Sequence, residues 1–200
     1  MRDHLLLCLC WLFFCFFHSA LASGRVKRWV STRRPRLHIH YRLLYTLFAA
    51  VTFLPIVAWQ IRMRSPFLLP VETRWVGLPV AAAGLAVMAV CIRKYFMGLS
   101  GLKSLLSGHP ESPDLKIDGV HRHVRHPLYL GTFLFIWGLF LFNPQLSLLL
   151  SNVIIHGYTL VGLRYEESKL VDTFGSQYET YRKQVPKLIP RFRAKRARLD

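Results

Sequence analysis

With 200 residues, 52% of them apolar, and a mean hydropathy of +0.29, the chain reads as one integral membrane domain rather than a water-soluble one. Its +17 net charge comes without a nucleic-acid recognition motif, so the basic side chains are assigned to membrane topology and lipid headgroups, not to nucleic acid. Cys8, Cys10, Cys15 and Cys91 all fall in apolar stretches and show neither a disulfide framework nor metal-ligand spacing, and no metal is expected.

Four uncharged stretches set the architecture: residues 5–22, 43–61, 75–92 and 127–163. A span needs roughly 20 residues at ~1.5 Å each. The last stretch has 37 residues, enough for two spans, with Asn143-Pro144 as a turn in its middle. The expected fold is all-α, with about five transmembrane helices. A tight hairpin joins the fourth and fifth, and a cytosolic amphipathic helix follows.

Helix one, 5–22, carries His18 and Ser19 near its inner end. An imidazole is costly beside lipid, so His18 either bonds a neighbouring helix or faces a cavity. Ala20-Leu21-Ala22 resembles a signal-peptide cleavage pattern. Charge argues for retention: with all five helices kept and the N-terminus outside, 23 of the 27 Lys and Arg fall on the inner side. Cleavage inverts that bias against the positive-inside rule. Residues 24–41 read as a basic cytosolic loop. Helix two, 43–61, contains Pro55, a kink position. Pro66 and Pro70 mark a short outer loop. Helix three, 75–96, begins on the interfacial anchor Trp75 and carries Gly77 and Gly84, which suit close helix packing.

Residues 98–124 form a long cytosolic connection, and long connections are often functional. Helix four, 127–142, opens on Pro127, suited to a first turn. Helix five covers 145–163. Residues 164–182 continue it as a cytosolic helix, whose stripe of Val171, Phe174, Tyr178 and Tyr181 repeats at helical spacing. That stripe either packs on helix five or lipid, or serves the site. Gly175 weakens the helix.

Chemistry concentrates at the two ends of the last apolar stretch. Between Leu128 and Leu163 there is no Asp, Glu, Lys or Arg. Arg125-His126-Pro127-Leu128-Tyr129 stands at its start and Arg164-Tyr165-Glu166-Glu167 at its end. His126 and Tyr129 are three apart across a helix start and can face one pocket. The helix start adds free N–H groups and positive potential, reinforced by Arg122 and Arg125. A hairpin brings Glu166 and Glu167 against them. Such a site suits a zwitterionic, partly aromatic ligand. An Arg125–Glu166 ion pair that only fixes the hairpin is the alternative.

The segment Gly119-Val120-His121-Arg122-His123-Val124-Arg125-His126-Pro127-Leu128-Tyr129-Leu130-Gly131 resembles the isoprenylcysteine carboxyl methyltransferase-like membrane methyltransferases. These are related to phospholipid N-methyltransferases and methanethiol S-methyltransferases. Arg164-Tyr165-Glu166-Glu167, Phe174-Gly175, Tyr178, Tyr181 and Val185-Pro186 to Pro190 are similar to the same family. The resemblance covers about the last 80 residues. It implies S-adenosylmethionine bound on the cytosolic side by His126, Tyr129, Gly131, Glu166 and Glu167, joined by Arg125 and Tyr165. It implies methyl transfer to a lipophilic or small thiol, carboxylate or amine, with membrane lipids as the other partners. The chain then divides into a three-helix part (1–118), a cofactor-binding part (119–190) and a basic tail (191–200), all one domain. His121 and His123 stand where aromatic residues are commoner in the family.

A carboxylate acceptor, with a pKa of about 4, needs no base, whereas a thiol, at about 8.5, benefits from a nearby Arg or His. The catalytic candidates are Arg125, His18 and His123; His156 is more simply an interhelical hydrogen bond. Membrane sterol and steroid reductases that use NADPH carry a similar Arg-His-Pro-x-Tyr element, but follow it with Gly-Glu where this chain has Gly131-Thr132. A non-enzymatic membrane scaffold is the other rival.

Overall fold

The computed structural model describes residues 1–100 and 115–190, with backbone alone at 35–39, 42 and 94–100. Part of the expected cytosolic connection, 101–114, and the basic tail, 191–200, lie outside the described residues. Those described form seven α-helices: α1 (Arg2–Ala22), α2 (Gly24–Arg33), α3 (Pro35–Arg62), α4 (Arg74–Ser100), α5 (Pro127–Phe142), α6 (Leu146–Phe174) and α7 (Ser176–Gln184).

Among the described residues four helices are long and apolar enough to cross a membrane: Arg2–Ala22, Leu43–Arg62, Val71–Arg93 and Leu146–Phe174. The chain is therefore an all-α, multi-pass membrane protein. The fifth apolar helix has the expected bounds and is the short one of the set. α5 has only 16 residues, about 24 Å of helix against a hydrocarbon core of ~30 Å.

Residues 24–41, expected as a loop, are helical. Ser23 ends α1 and caps α2, its hydroxyl accepting from Val26 N at 3.4 Å. Val26, Trp29 and Val30 then recur at helical spacing among the basic residues, and Val30 is buried. Charge in this segment faces outward and does not oppose the helix. Pro35 opens α3 at its first turn. α3 and α4 each continue through an internal proline, Pro55 and Pro79.

A buried polar knot joins α1, α3 and α6. Gln60 Oε1 accepts from Trp11 Nε1 at 3.3 Å and from Ser151 Oγ at 3.0 Å. Leu7, Trp11 and Met63 pack around it. Polar groups so deep persist because each is paired.

α5 and α6 form the expected hairpin. Asn152 Nδ2 donates to Ile136 O at 2.7 Å, and Trp137 Nε1 to His156 Nδ1 at 3.2 Å. His156 also stacks on Phe133 at 4.1 Å, the interhelical role its chemistry favours. The hairpin turn pairs with the loop after α3: Leu68 N donates to Pro144 O, and Leu146 N to Pro66 O.

The tightest contact of α5 is nevertheless with α4. A Cβ built on Gly77 would lie 2.2 Å from Phe142 N; one on Gly84, 2.4 Å from Phe135 N; one on Gly138, 2.3 Å from Ala81 N. The two backbones touch along a seam where only glycine fits. Gly131 belongs to this seam, its Cβ direction meeting Met88 Cγ at 2.9 Å and Gly84 O at 3.0 Å.

α6 runs unbroken past its apolar part to Phe174, about 44 Å in all for its 29 residues. Gly175, at φ +52, ends it and sends α7 off in a new direction.

Candidate functional site

The site forms where the start of α5 meets the polar end of α6 and α7 closes over both. Arg125 and His126 precede α5 outside any helix and pair with the stretch after α7. Arg125 N donates to Pro186 O at 2.9 Å and His126 N to Lys187 O at 3.1 Å. Two side chains are thereby fixed before the helix begins.

Arg125 makes a bidentate pair with Glu167, Nε to Oε1 at 2.9 Å and Nη2 to Oε2 at 3.0 Å. Its Nη1 donates to Arg182 O and Val185 O at 2.9 and 2.6 Å, tying down the end of α7. Glu167 Oε1 also bonds His126 Nε2 at 2.7 Å and accepts from Tyr178 OH at 2.8 Å. The side chains of Arg125 and Glu167 are only 8% and 10% exposed. A buried, fork-on-fork pair of this kind is both strong and directional. Burial and the Glu167 carboxylate push the Tyr178 hydroxyl well above its ordinary pKa, so it remains a donor.

Glu166, the next residue, has different surroundings. Its Oε2 accepts from Tyr129 OH at 2.6 Å. Its Oε1 lies 3.9 Å from His126 Nδ1, too far for a hydrogen bond, and the side chain is 43% exposed. With Arg125 offset by Glu167, Glu166 leaves this cluster negative. Its open oxygen sits beside the Tyr129 and His126 rings, whose centroids are 5.7 Å apart. A carboxylate framed by aromatic faces suits a cation or a donor of hydroxyl or amine hydrogens. The cationic, amine-bearing methyl donor named above therefore fits these residues.

The ion pair is thus Arg125–Glu167 and not Arg125–Glu166. Among the expected site residues, Arg125, His126, Tyr129, Glu166 and Glu167 come together. Gly131 faces α4, and Tyr165 is 75% exposed on the far side of α6 from Glu167. Among the catalytic candidates, His123 is exposed beside the Gly119–Arg122 turn. His18 bonds Tyr45 OH, 2.6 Å from Nε2.

Tyr178 and Tyr181 of the aromatic stripe are buried, and Tyr181 OH donates to His121 O at 2.6 Å. The stripe therefore anchors α7 over the site. The carbonyls of Arg182, Val185, Pro186 and Lys187 were not foreseen, since backbone acceptors leave no mark in side-chain chemistry. Tyr45, the partner of His18, was also not foreseen.

The sequence profile of the phospholipid methyltransferase family matches residues 77–177. The methanethiol S-methyltransferase of Pseudomonas sp. (strain GM41(2012)) is 31% identical over 190 residues, covering 87% of this chain and 68% of its own length. Methanethiol S-methyltransferase 2 of Bradyrhizobium diazoefficiens is 30% identical over 196 residues, 92% of this chain and 71% of its own. The protein-S-isoprenylcysteine O-methyltransferase of Schizosaccharomyces pombe is 40% identical over 79 residues, 38% of this chain and 33% of its own. No solved structure is a significant match.

Proposed function

The chain belongs to the phospholipid methyltransferase family of membrane methyltransferases, and from that premise we propose that it binds S-adenosylmethionine at the Glu166–Tyr129–His126 cluster and methylates a small or lipophilic thiol on the cytosolic side. The observation that carries the reading is the difference between two adjacent carboxylates. Glu167 is saturated by Arg125, His126 and Tyr178, whereas Glu166 keeps an open oxygen at a half-exposed position.

When bound, the donor supplies a methyl group already activated on a sulfonium. The protein's work is then alignment and exclusion of water. Glu166 would hold an amine or hydroxyl of the donor, and Tyr129, itself held by Glu166, would offer an aromatic face to its positive charge. Arg125 and Glu167 are positioning residues: they lock the approach to α5 against α6 and α7. Gly131 acts through packing, by setting the depth of α5 against α4.

Thiol is preferred as the acceptor because the relatives aligned over most of their length are named as thiol methyltransferases, while the isoprenylcysteine relative aligns over a third of its own. The cytosolic assignment is supported by charge, with 23 of 27 Lys and Arg on the side that carries the site.

The test is calorimetric titration of the purified full chain with S-adenosylmethionine, with NADPH as comparison. Saturable binding is expected, weakened roughly 10–100-fold in Glu166→Gln, the scale of one hydrogen bond to a charged group. Unchanged affinity in that variant would remove Glu166 from the site; NADPH binding alone would move the chain to reductase chemistry.

A further inference from the structure

A second set of polar side chains stands one to two turns deeper in the apolar layer. Tyr45 OH, from α3, lies 2.6 Å from His18 Nε2 and 2.9 Å from Nδ1. Tyr158, from α6, meets the His18 ring edge-on at 6.3 Å, and its hydroxyl hydrogen-bonds Ser19 Oγ at 2.9 Å. Phe14, one turn earlier on α1, stacks on the imidazole at 5.6 Å. His18, Tyr45 and Tyr158 are all only partly buried. Imidazole and phenol groups at this depth are held by one another, because facing acyl chains costs several kcal/mol.

This set lies between two features. On one side, Tyr158 stands on α6 two turns before Glu166, whose carboxylate accepts from Tyr129. On the other, a groove of about 410 Å³ runs between α1 and α3, lined by Phe13, Phe14, Phe17, Phe48 and Ile56 among others. It shares Phe14 with His18, and Phe48 lies one turn from Tyr45. The wall is almost wholly apolar: Cys10 adds a thiol, and Thr52, its one hydroxyl, is turned back onto Phe48 O at 2.8 Å. The apolar groove and the imidazole thus share one wall, Phe14, and the imidazole meets Tyr158 of the helix that carries the carboxylates.

On the donor reading given above, we infer that His18, oriented by Tyr45, is the base for a thiol acceptor whose apolar part occupies the α1–α3 groove. The acceptor's S–H bond breaks and its proton passes to the imidazole. The sulfur lone pair forms the new S–CH3 bond, and the electron pair of the broken methyl–sulfonium bond stays on the donor sulfur. The imidazolium then returns its proton to water. The thiolate is the competent nucleophile, so a thiol needs such a base and a carboxylate does not. The titratable groups around His18 are Cys15 on α1, Tyr41 and Tyr45 on α3, Tyr158 on α6 and, farther off, Tyr129 and Glu166. Of these side chains the imidazole is the one whose ordinary pKa lies near neutrality.

The experiment uses His18→Gln and Tyr45→Phe in the purified full chain. Calorimetry with S-adenosylmethionine comes first, and wild-type affinity is expected in both variants. A wild-type protein that does not bind it overturns the donor reading itself. The second readout needs no donor: a chromophoric arylthiol is titrated with pH in the presence of protein, and its thiolate absorbance is followed. Wild type should lower the pH of thiolate formation by at least one unit, a tenfold gain in thiolate; H18Q should abolish this and Y45F should reduce it. Methylation of an alkylthiol should fall about 100-fold in kcat/KM in H18Q, with its rise with pH moved up to the thiol's own pKa. Intact donor binding with unchanged thiolate formation in H18Q overturns the assignment of His18 and leaves the donor site standing.

Discussion

Replacing Glu167 with Gln separates the two adjacent carboxylates by what each one holds. The change keeps size and shape but exchanges one oxygen for an NH2 group. Glu167 Oε1 meets three donors and Oε2 meets Arg125 Nη2. In either amide orientation an NH2 group therefore points at a donor, and the Arg125 guanidinium loses its counter-charge while 8% exposed. Removing one partner of a buried ion pair costs about 3–5 kcal/mol. Arg125 keeps two carbonyls, Arg182 O and Val185 O, so the lower end of that range applies, about 3 kcal/mol. At about 2–4 °C per kcal/mol for a chain of this size, the midpoint of thermal unfolding in detergent should fall by roughly 6–12 °C. Tryptophan fluorescence follows this directly. The matched control is Glu166→Gln, which removes one bond at a half-exposed position and should cost about 1 kcal/mol or less. Midpoints that fall equally, or fall more in E166Q, would refute the division of roles.

Substitutions along the α4–α5 seam should be severe. Gly84→Val places carbon within 2.4 Å of the Phe135 backbone, so the helices must part, and folded yield should collapse in fluorescence-detected size exclusion. Gly157→Ala and Gly162→Ala are the counterpart: their Cβ directions meet nothing within 4 Å, and each should be neutral or raise the midpoint by up to ~1 kcal/mol equivalent. Tyr178→Phe should cost about 1 kcal/mol by removing one donor from Glu167, with donor affinity falling less than in E166Q. A reporter fused after Lys187 should be active only in its cytosolic form; an external signal there would reverse the proposed orientation.

The main features of the site were readable because membrane chemistry is sparse. In a stretch from Leu128 to Leu163 without Asp, Glu, Lys or Arg, the polar groups at its two ends had few other partners, and the turn at Asn143-Pro144 brought those ends together. Gly77 and Gly84 were recognisable as packing residues because lipid-facing positions give glycine no advantage. Other features were hidden for equally physical reasons. Glu166 and Glu167 are chemically identical neighbours, and only the ~100° turn per residue decides which meets Arg125 and which meets Tyr129. α2 was masked by its charges, although Val26, Trp29 and Val30 carry the helical period. Every helix that can contact α5 is apolar, so hydropathy does not select its partner. The information lay in matching seven-residue glycine spacings, 77 to 84 and 131 to 138. Tyr45 and Tyr158 resembled ordinary aromatic residues of a span until His18 and Ser19 were placed beside them.

Two helices whose backbones touch leave no gap for a molecule to pass. The α4–α5 seam is therefore a wall, and it stands directly behind the first turns of α5 from which His126 and Tyr129 project. On the acceptor route proposed above, that closure turns a hydrophobic molecule diffusing in the bilayer away from this flank and leaves the aromatic-walled groove between α1 and α3 as the way in. Each face of the bundle then has one task, and widening the seam would give the protein a second, unguarded door.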